Sequence, residues 1–313
     1  MSGVTDIGFR RLAERFGASL VVSEMVASGS LARGEAEAAA RAEGAGVAVH
    51  VVQLAGCDPY WMGEAARVAE AAGAHVIDIN MGCPARSVTG GQSGSALMRD
   101  PDHAMALVEA TVAATTLPVT LKMRLGWDDA SRNAPELARR AAAAGVAMVT
   151  VHGRTRQQFY KGRADWGAVG AVRAALVRDG FDLPLVVNGD IAGARDAREA
   201  LARSGADAVM VGRAALGRPW LVGQIAAALA GAPRPEPQPA EKVAAMREHY
   251  ETMIALYGAG VGVRHARKHL AAFAEHMGAP ADLRLALVSV RRPQEALALL
   301  HALPDRIIRE QAA

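Results

Sequence analysis

Seven short runs rich in β-branched and other apolar residues punctuate the chain: SLVVSEM from Ser19, VHVVQL from Val49, HVIDIN from His75, LPVTLKM from Leu117, VAMVTVH from Val146, LPLVVNGD from Leu183 and ADAVMVGR from Ala206. Between them stand alanine-rich, charge-punctuated stretches of helical period, such as DPYWMGEAARVAEAAGA and NAPELARRAAAAG. Strands alternating with helices predict βα units and a parallel sheet. Polar and glycine residues gather where the runs end: Glu24, Gln53, Asn80, Lys122, His152, Asn188 and Gly212-Arg213. That edge is where a (β/α)8 TIM barrel builds its active site. A doubly wound dinucleotide fold would want G-x-G-x-x-G after its first strand, and none is present. A closed barrel has eight strands, and seven are visible. The opening MSGVTD reads as a loop that follows a strand. The expectation is an α/β TIM barrel whose first strand is missing or truncated.

The alternation stops after RAALGRPWLVGQIAAALAG. APRPEPQPA, residues 232–240, is a proline-rich linker that cannot continue a helix. From Glu241 every segment has helical period: AEKVAAMREHYETMIALYG, VGVRHARKHLAAFAEHMG, ADLRLALVSV and RPQEALALLHALPDR. The chain therefore divides into a barrel over 1–231, a linker over 232–240 and a small all-α bundle over 241–313.

Composition narrows this picture modestly. With 313 residues, 51% hydrophobic, the chain has room for a large core and a small second domain. Aromatics make up 4% and alanine is abundant, so smooth, closely packed helices are expected. A net charge of +3 permits a polyanionic partner without demanding one. Two cysteines, Cys57 and Cys83, make neither a disulfide framework nor a four-cysteine zinc site, and no metal is expected. The N-terminus lacks the charged and apolar regions of a signal peptide, and no stretch approaches the ~20 apolar residues of a membrane span. A cytoplasmic, monomeric protein without membrane contact is expected.

The strand ends carry the candidate chemistry. VVNGDIAG and MVGRAALG each place glycine between a strand and a helix. Backbone N–H groups there can cradle a phosphate, with Arg213 adding charge; tight turns that need glycine would look the same. Lys122 interrupts an apolar strand and calls for an anion, a Schiff base or a route to the rim. Gln53 and His152 ring the same mouth. Cys83, framed by Gly82 and Pro84 beside Asn80, sits in a rigid polar turn. A thiol of ordinary pKa is protonated at neutral pH and can donate that proton. Cys57 in AGCDPY reads instead as a small buried hydrophobe. In VRHARKHL, Arg264, Arg267 and Lys268 share a helix face, which reads as a solvated face more readily than as a phosphate-contact strip.

INMGCPARSVTGGQSGSALMRDP resembles the signature of the tRNA-dihydrouridine synthases, in particular their bacterial B-type branch. SGVTDIGFR, VSEM, VQLAG, VTLKMRLGW, VHGRTR, NGDI, VGRAALGRPW and RHARKHL match that branch in order, nearly end to end. The resemblance implies an FMN-bearing barrel, reduced by NADPH, with a helical domain that binds tRNA. It implies reduction of the C5=C6 bond of specific tRNA uridines to 5,6-dihydrouridine, with Cys83 protonating C5. Gln53, Lys122 and His152 would hold the flavin ring. Asn188, Gly189, Asp190, Gly212 and Arg213 would hold the ribityl chain and phosphate, and Met1 and Ser2 match backbone contacts to FMN. Asn80 would meet the target base, and Arg154, Arg264, Arg267 and Lys268 the tRNA. The chemistry is coherent: C5=C6 of uracil is polarised like an enone, and the base must leave its stack to be reached. The chain departs from the family at Ala85-Arg86-Ser87, usually lysine-rich, and in the absent first strand, from whose end the family takes flavin contacts. Two other readings stand beside this one. A dihydroorotate-type FMN oxidoreductase of a free pyrimidine would have no use for the helical appendage. A non-catalytic RNA-binding regulator would have no use for the Cys83, Lys122 and His152 set.

Overall fold

The computed structural model describes residues 1–311. Each apolar run forms a strand: β1 (Val21–Ala27), β2 (His50–Ala55), β3 (Val76–Met81), β4 (Val119–Arg124), β5 (Met148–His152), β6 (Leu185–Asn188) and β7 (Ala208–Met210). They make one sheet in strict chain order, every pair parallel. Seven parallel strands with interposed helices give the TIM-barrel-like α/β architecture that the alternation predicts. The helices start where the sequence says they should. Asp58 and Asp100 precede prolines 59 and 101, and each carboxylate accepts a first-turn N–H, from Tyr60 and His103. Asp165 caps Trp166–Arg178 in the same way, accepting from Ala168.

Packing groups the chain into two compact units, one of Met1 and Val21–Gly212, the other of Ser2–Leu20 and the chain from Arg213 onward. The sequence pattern places its boundary later, at the linker 232–240. In the first unit the strands alternate by residue. Ile77, Ile79, Leu121, Met123, Val149 and Val151 are buried apolar residues on one face. Asp78, Asn80, Thr120, Lys122, Thr150 and His152 occupy the other. The β1–β2 register slips between Val22 and Met25. At this bulge Ser23 Oγ accepts the Gln53 N–H at 2.9 Å and donates to the Glu24 carbonyl at 2.7 Å, so a side chain replaces a ladder bond.

The second unit is helical: Ile7–Arg15, Leu221–Leu229, Pro239–His276, Ala281–Ser289 and Pro293–Gln311. Leu12, Trp220, Tyr250, Leu270, Phe273 and Leu300 are among its buried core. The longest helix breaks at Gly258, whose φ of +71° and ψ of 161° divide the two periodic segments read from the sequence. The proline-rich stretch is anchored: Glu236 accepts from Trp220 Nε1 at 3.2 Å and Gln224 Nε2 at 2.8 Å, and pairs with Lys242 at 2.9 Å. Among the described residues no helix is long and apolar enough to cross a membrane.

Asp6, at the start of Ile7–Arg15, caps that helix by accepting from the Phe9 N–H at 3.0 Å and meets His249 Nε2 at 3.0 Å. His269 lies edge-on to His249, ring centroids 4.6 Å apart. Ligand-type atoms of the three lie within 4.8 Å of one another, a grouping that no sequence motif announces. Burial pushes Asp6 up, but His249 and the Phe9 N–H outweigh it and hold the carboxyl at about 2. Burial, reinforced by His249, pushes His269 down to about 3. Unfolding frees His269 to bind a proton at its ordinary value of 6.5, so the unfolded chain takes up more protons between about 6.5 and 3. Stability therefore falls as pH drops through that window, and the Asp6 contribution follows as pH falls from about 4 toward 2. His269→Leu is expected to flatten Tm against pH above pH 4, as thermal melts at stepped pH would show.

Candidate active site

Strand register assembles the site. Gln53 lies opposite Asp78, Asp78 opposite Thr120, and Asn80 opposite Lys122. Further round, Arg124 lies opposite His152, His152 opposite Asn188, and Asn188 opposite Met210. Because side chains alternate along a strand, one polar face runs across β2 to β6 near the strand ends.

Asp78 is 3% exposed and accepts from Thr120 Oγ1 at 2.6 Å and Gln53 Nε2 at 2.7 Å. Gln53 Oε1 accepts from Asn80 Nδ2 at 2.9 Å. Asn80 Oδ1 accepts the N–H groups of Gly82 at 3.2 Å and Cys83 at 2.9 Å, pinning the turn that carries the thiol. From the other side, the Cys83 carbonyl accepts from the Ser95 N–H at 3.0 Å and Oγ at 2.9 Å. Arg124 Nε donates to the Gly82 carbonyl at 2.8 Å. The Cys83 side chain itself is half-buried. A cleft of about 340 Å³ is lined by Met25, Ala27 and Ala55 from β1 and β2, and by Ser87, Val88 and Ser93 beyond Cys83.

Lys122 Nζ donates to Asn188 Oδ1 at 3.2 Å, and Asn188 Nδ2 donates to the Met210 carbonyl at 2.7 Å. Burial, with the Arg124 charge, pushes the Lys122 amine down to about 8, against the pull of Asp78. Burial likewise raises Asp78, opposed by Thr120, Gln53 and Lys122.

Arg154 follows β5 and is buried, its side chain 1% exposed. It grips Asp190 with two bonds of 3.0 and 2.5 Å and donates to the carbonyls of Lys161 at 3.1 Å and Gly162 at 2.7 Å. Asp190 also accepts the Ala164 N–H at 2.8 Å, and Trp166 Nε1 donates to the Gly189 carbonyl at 2.7 Å. The loop after β5 is thus riveted to the turn after β6. Gly189 has φ of +116°, and a Cβ there would come within 2.8 Å of Ala164 Cβ and 3.1 Å of the His152 ring. Gly189→Ala is expected to lose roughly 2–4 kcal/mol through strain and overlap and to displace His152, measurable by denaturant unfolding.

The remaining expected residues are dispersed. Met1 and Gly212 belong to the strand-bearing unit, and a Cβ on Gly212 would lie 3.7 Å from Met1 Sδ. Ser2 and Arg213 fall in the helical unit, where Arg213 opens the short turn Arg213–Ala215. Arg264 and Lys268 are exposed, with Lys268 against Gly3. Arg267 is half-buried and reaches the Val290 carbonyl at 3.4 Å, so the three do not form one outward strip. Cys57 corrects an expectation: it is exposed, because its turn projects ahead of the helix Pro59–Ala71. Sequence reasoning misses Asp78, Thr120 and Arg124, although their period-2 spacing with Asn80 and Lys122 is visible in IDIN and TLKMR. It also misses the exposed pair Phe159 and Tyr160, whose ring centroids lie 4.5 Å apart. The Phe159 carbonyl accepts from Arg124 at 2.9 Å.

A family model described as dihydrouridine synthase (Dus) matches residues 1–309. The chain is 55% identical over 307 residues to a probable tRNA-dihydrouridine synthase of Rhizobium leguminosarum bv. phaseoli, covering 97% of this chain and 93% of the relative. It is 53% identical to a probable tRNA-dihydrouridine synthase of Rhodobacter capsulatus, over 96% of this chain and 92% of the relative. Identity to tRNA-dihydrouridine synthase B of Xanthomonas campestris pv. campestris is 44%, over 98% and 92%. Among solved structures, morphinone reductase superposes with a TM-score of 0.51 at 16% identity, over 77% of this chain and 85% of that one. The last likeness concerns the fold.

Proposed function

The chain belongs to the dihydrouridine synthase family, and on that premise we propose that it reduces uridines in tRNA to 5,6-dihydrouridine with FMN and NADPH, using Cys83 as proton donor. The observation that carries this reading is the half-buried thiol in a turn fixed by Asn80 and Ser95, on the strand edge that also bears the Lys122 amine.

The residues fit a flavin. One hydrogen bond of Lys122, to a neutral amide, accounts for one of its three donors, which suits an anionic or carbonyl-rich group. Gln53, Lys122, His152 and Asn188 would face the ring. Gly189, Asp190 and Gly212 would offer backbone to the ribityl phosphate, beside Met1. Bound FMN, reduced by NADPH, would supply the hydride. Saturating C5=C6 also requires a proton at C5. A thiol whose backbone is held on both sides suits that transfer. Asn80 positions the thiol, since both ends of its amide are occupied. Arg154 acts through the loop it anchors, because its guanidinium is spent inside the protein. Arg264 and Lys268 would neutralise tRNA phosphates, and the Phe159–Tyr160 pair offers a surface on which bases can stack.

The purified protein is expected to show a flavin spectrum and, given NADPH and tRNA lacking dihydrouridine, to reoxidise its flavin and form the modified base. A protein that stays colourless when FMN is added would overturn the reading. Reoxidation by free uracil or orotate but not by tRNA would move the activity to a small pyrimidine.

A further inference from the structure

Both amides between Asp78 and Cys83 have a fixed direction. At one end, the N–H groups of Gly82 and Cys83 can only donate, so the group facing them must be Asn80 Oδ1. The Asn80 –NH2 then points at Gln53, which must present its oxygen, as it does at 2.9 Å. The Gln53 –NH2 is left facing Asp78, which must accept, as it does at 2.7 Å. The second Asp78 oxygen accepts from Thr120 at 2.6 Å. The oxygen facing Gln53 accepts whether or not the other, against the rotatable Thr120 hydroxyl, carries a proton. The chain of donors and acceptors is therefore set by the two backbone N–H groups and ends on a buried Asp78 oxygen that must accept.

We infer that Asp78 is a positioning residue for Cys83, acting through the enforced orientation of the Gln53 and Asn80 amides. The inference rests on the proposed proton-donor role of Cys83 and names the part that holds that donor in place. Reversing Asn80 would set its –NH2 against the N–H groups of Gly82 and Cys83, and reversing Gln53 would set its –NH2 against that of Asn80, so in either case the turn or its support would have to move. The same logic explains why an acid occupies the interior of an otherwise apolar strand, where burial raises its pKa.

A polarity swap tests this. In a Cys57→Ser background Cys83 is the single thiol of the chain, so its alkylation by iodoacetamide reports the turn directly. Gln53→Glu sets a carboxylate against Asp78. It is expected to change the Cys83 alkylation rate at least about fivefold and to slow tRNA reduction about 10- to 100-fold. In the double variant Gln53→Glu with Asp78→Asn, residue 78 donates to residue 53, which still accepts from Asn80. Alkylation should return to within about twofold of the parent, and tRNA reduction should recover at least about tenfold over Gln53→Glu. Asp78→Asn alone should fall between, because the Thr120 hydroxyl can turn to accept. A double variant no better than Gln53→Glu in alkylation, or a Gln53→Glu variant with parental alkylation, would overturn the inference. A parent that alkylates as expected but never reduces tRNA would instead sink the proposed function, while the alkylation series still decides the role of Asp78.

Discussion

Cys83→Ala is expected to keep its flavin and its reduction by NADPH while forming dihydrouridine about 10²- to 10⁴-fold more slowly than the parent. The substitution removes a half-buried sulfur and leaves the turn alone. Asn80 holds the backbone N–H of residue 83, and Ser95 holds its carbonyl, neither through the side chain. Stability should therefore change little, and a loss of turnover would report chemistry. Stopped-flow spectroscopy separates the two half-reactions: flavin bleaching by NADPH at the parental rate, then slow recovery of colour with tRNA. Cys83→Ser should lie near Cys83→Ala, since a hydroxyl is a far weaker acid than a thiol. A variant that turns over normally would transfer the proton-donor role elsewhere, with Lys122, its amine pushed down to about 8, the next group to examine. The pH profile would show which group serves, because a Lys122 donor would lose activity as pH rises through about 8.

The strands are legible because β-branched residues crowd into short runs, and each run ends in a polar or glycine residue that marks the site edge. The helical segments after residue 240, including the break at Gly258, follow from period and from glycine and proline placement. What escapes detection depends on contacts distant in sequence. Nothing near Asp6 announces that it will meet His249, and only folding of Ser2–Leu20 against the later helices joins them. Arginine ordinarily lies outside, so Arg154 reads as a surface contact for RNA. Its burial follows from Asp190, which sits in a different βα turn. Asp78 is inconspicuous for the opposite reason. It stands inside an apolar run, where attention goes to the residues at the strand's end, and its importance lies in what it compels its neighbours to do.

Asp190→Ala is the other change expected to have a large effect, and it decides what Arg154 is for. The guanidinium of Arg154 is 1% exposed, while its carboxylate partner is 30% exposed. Removing Asp190 leaves a buried cation with two carbonyls, the His152 ring and no paired carboxylate. Breaking a buried pair in this way costs about 3–5 kcal/mol, and the partial exposure of Asp190 argues for the lower end. Arg154→Met combined with Asp190→Ala removes both charges together and should recover part of the loss, which a denaturant series on the four proteins would show. A direct tRNA contact by Arg154 makes a different prediction. Arg154→Met alone would then leave unfolding unchanged, weaken tRNA binding across sequences and reduce the salt slope by about one ion. The geometry favours loss of stability, with the salt slope of the folded variant unchanged. Arg154 has spent its donors on Asp190, Lys161, Gly162 and the His152 ring. Freeing them for a phosphate would mean undoing the loop that they hold.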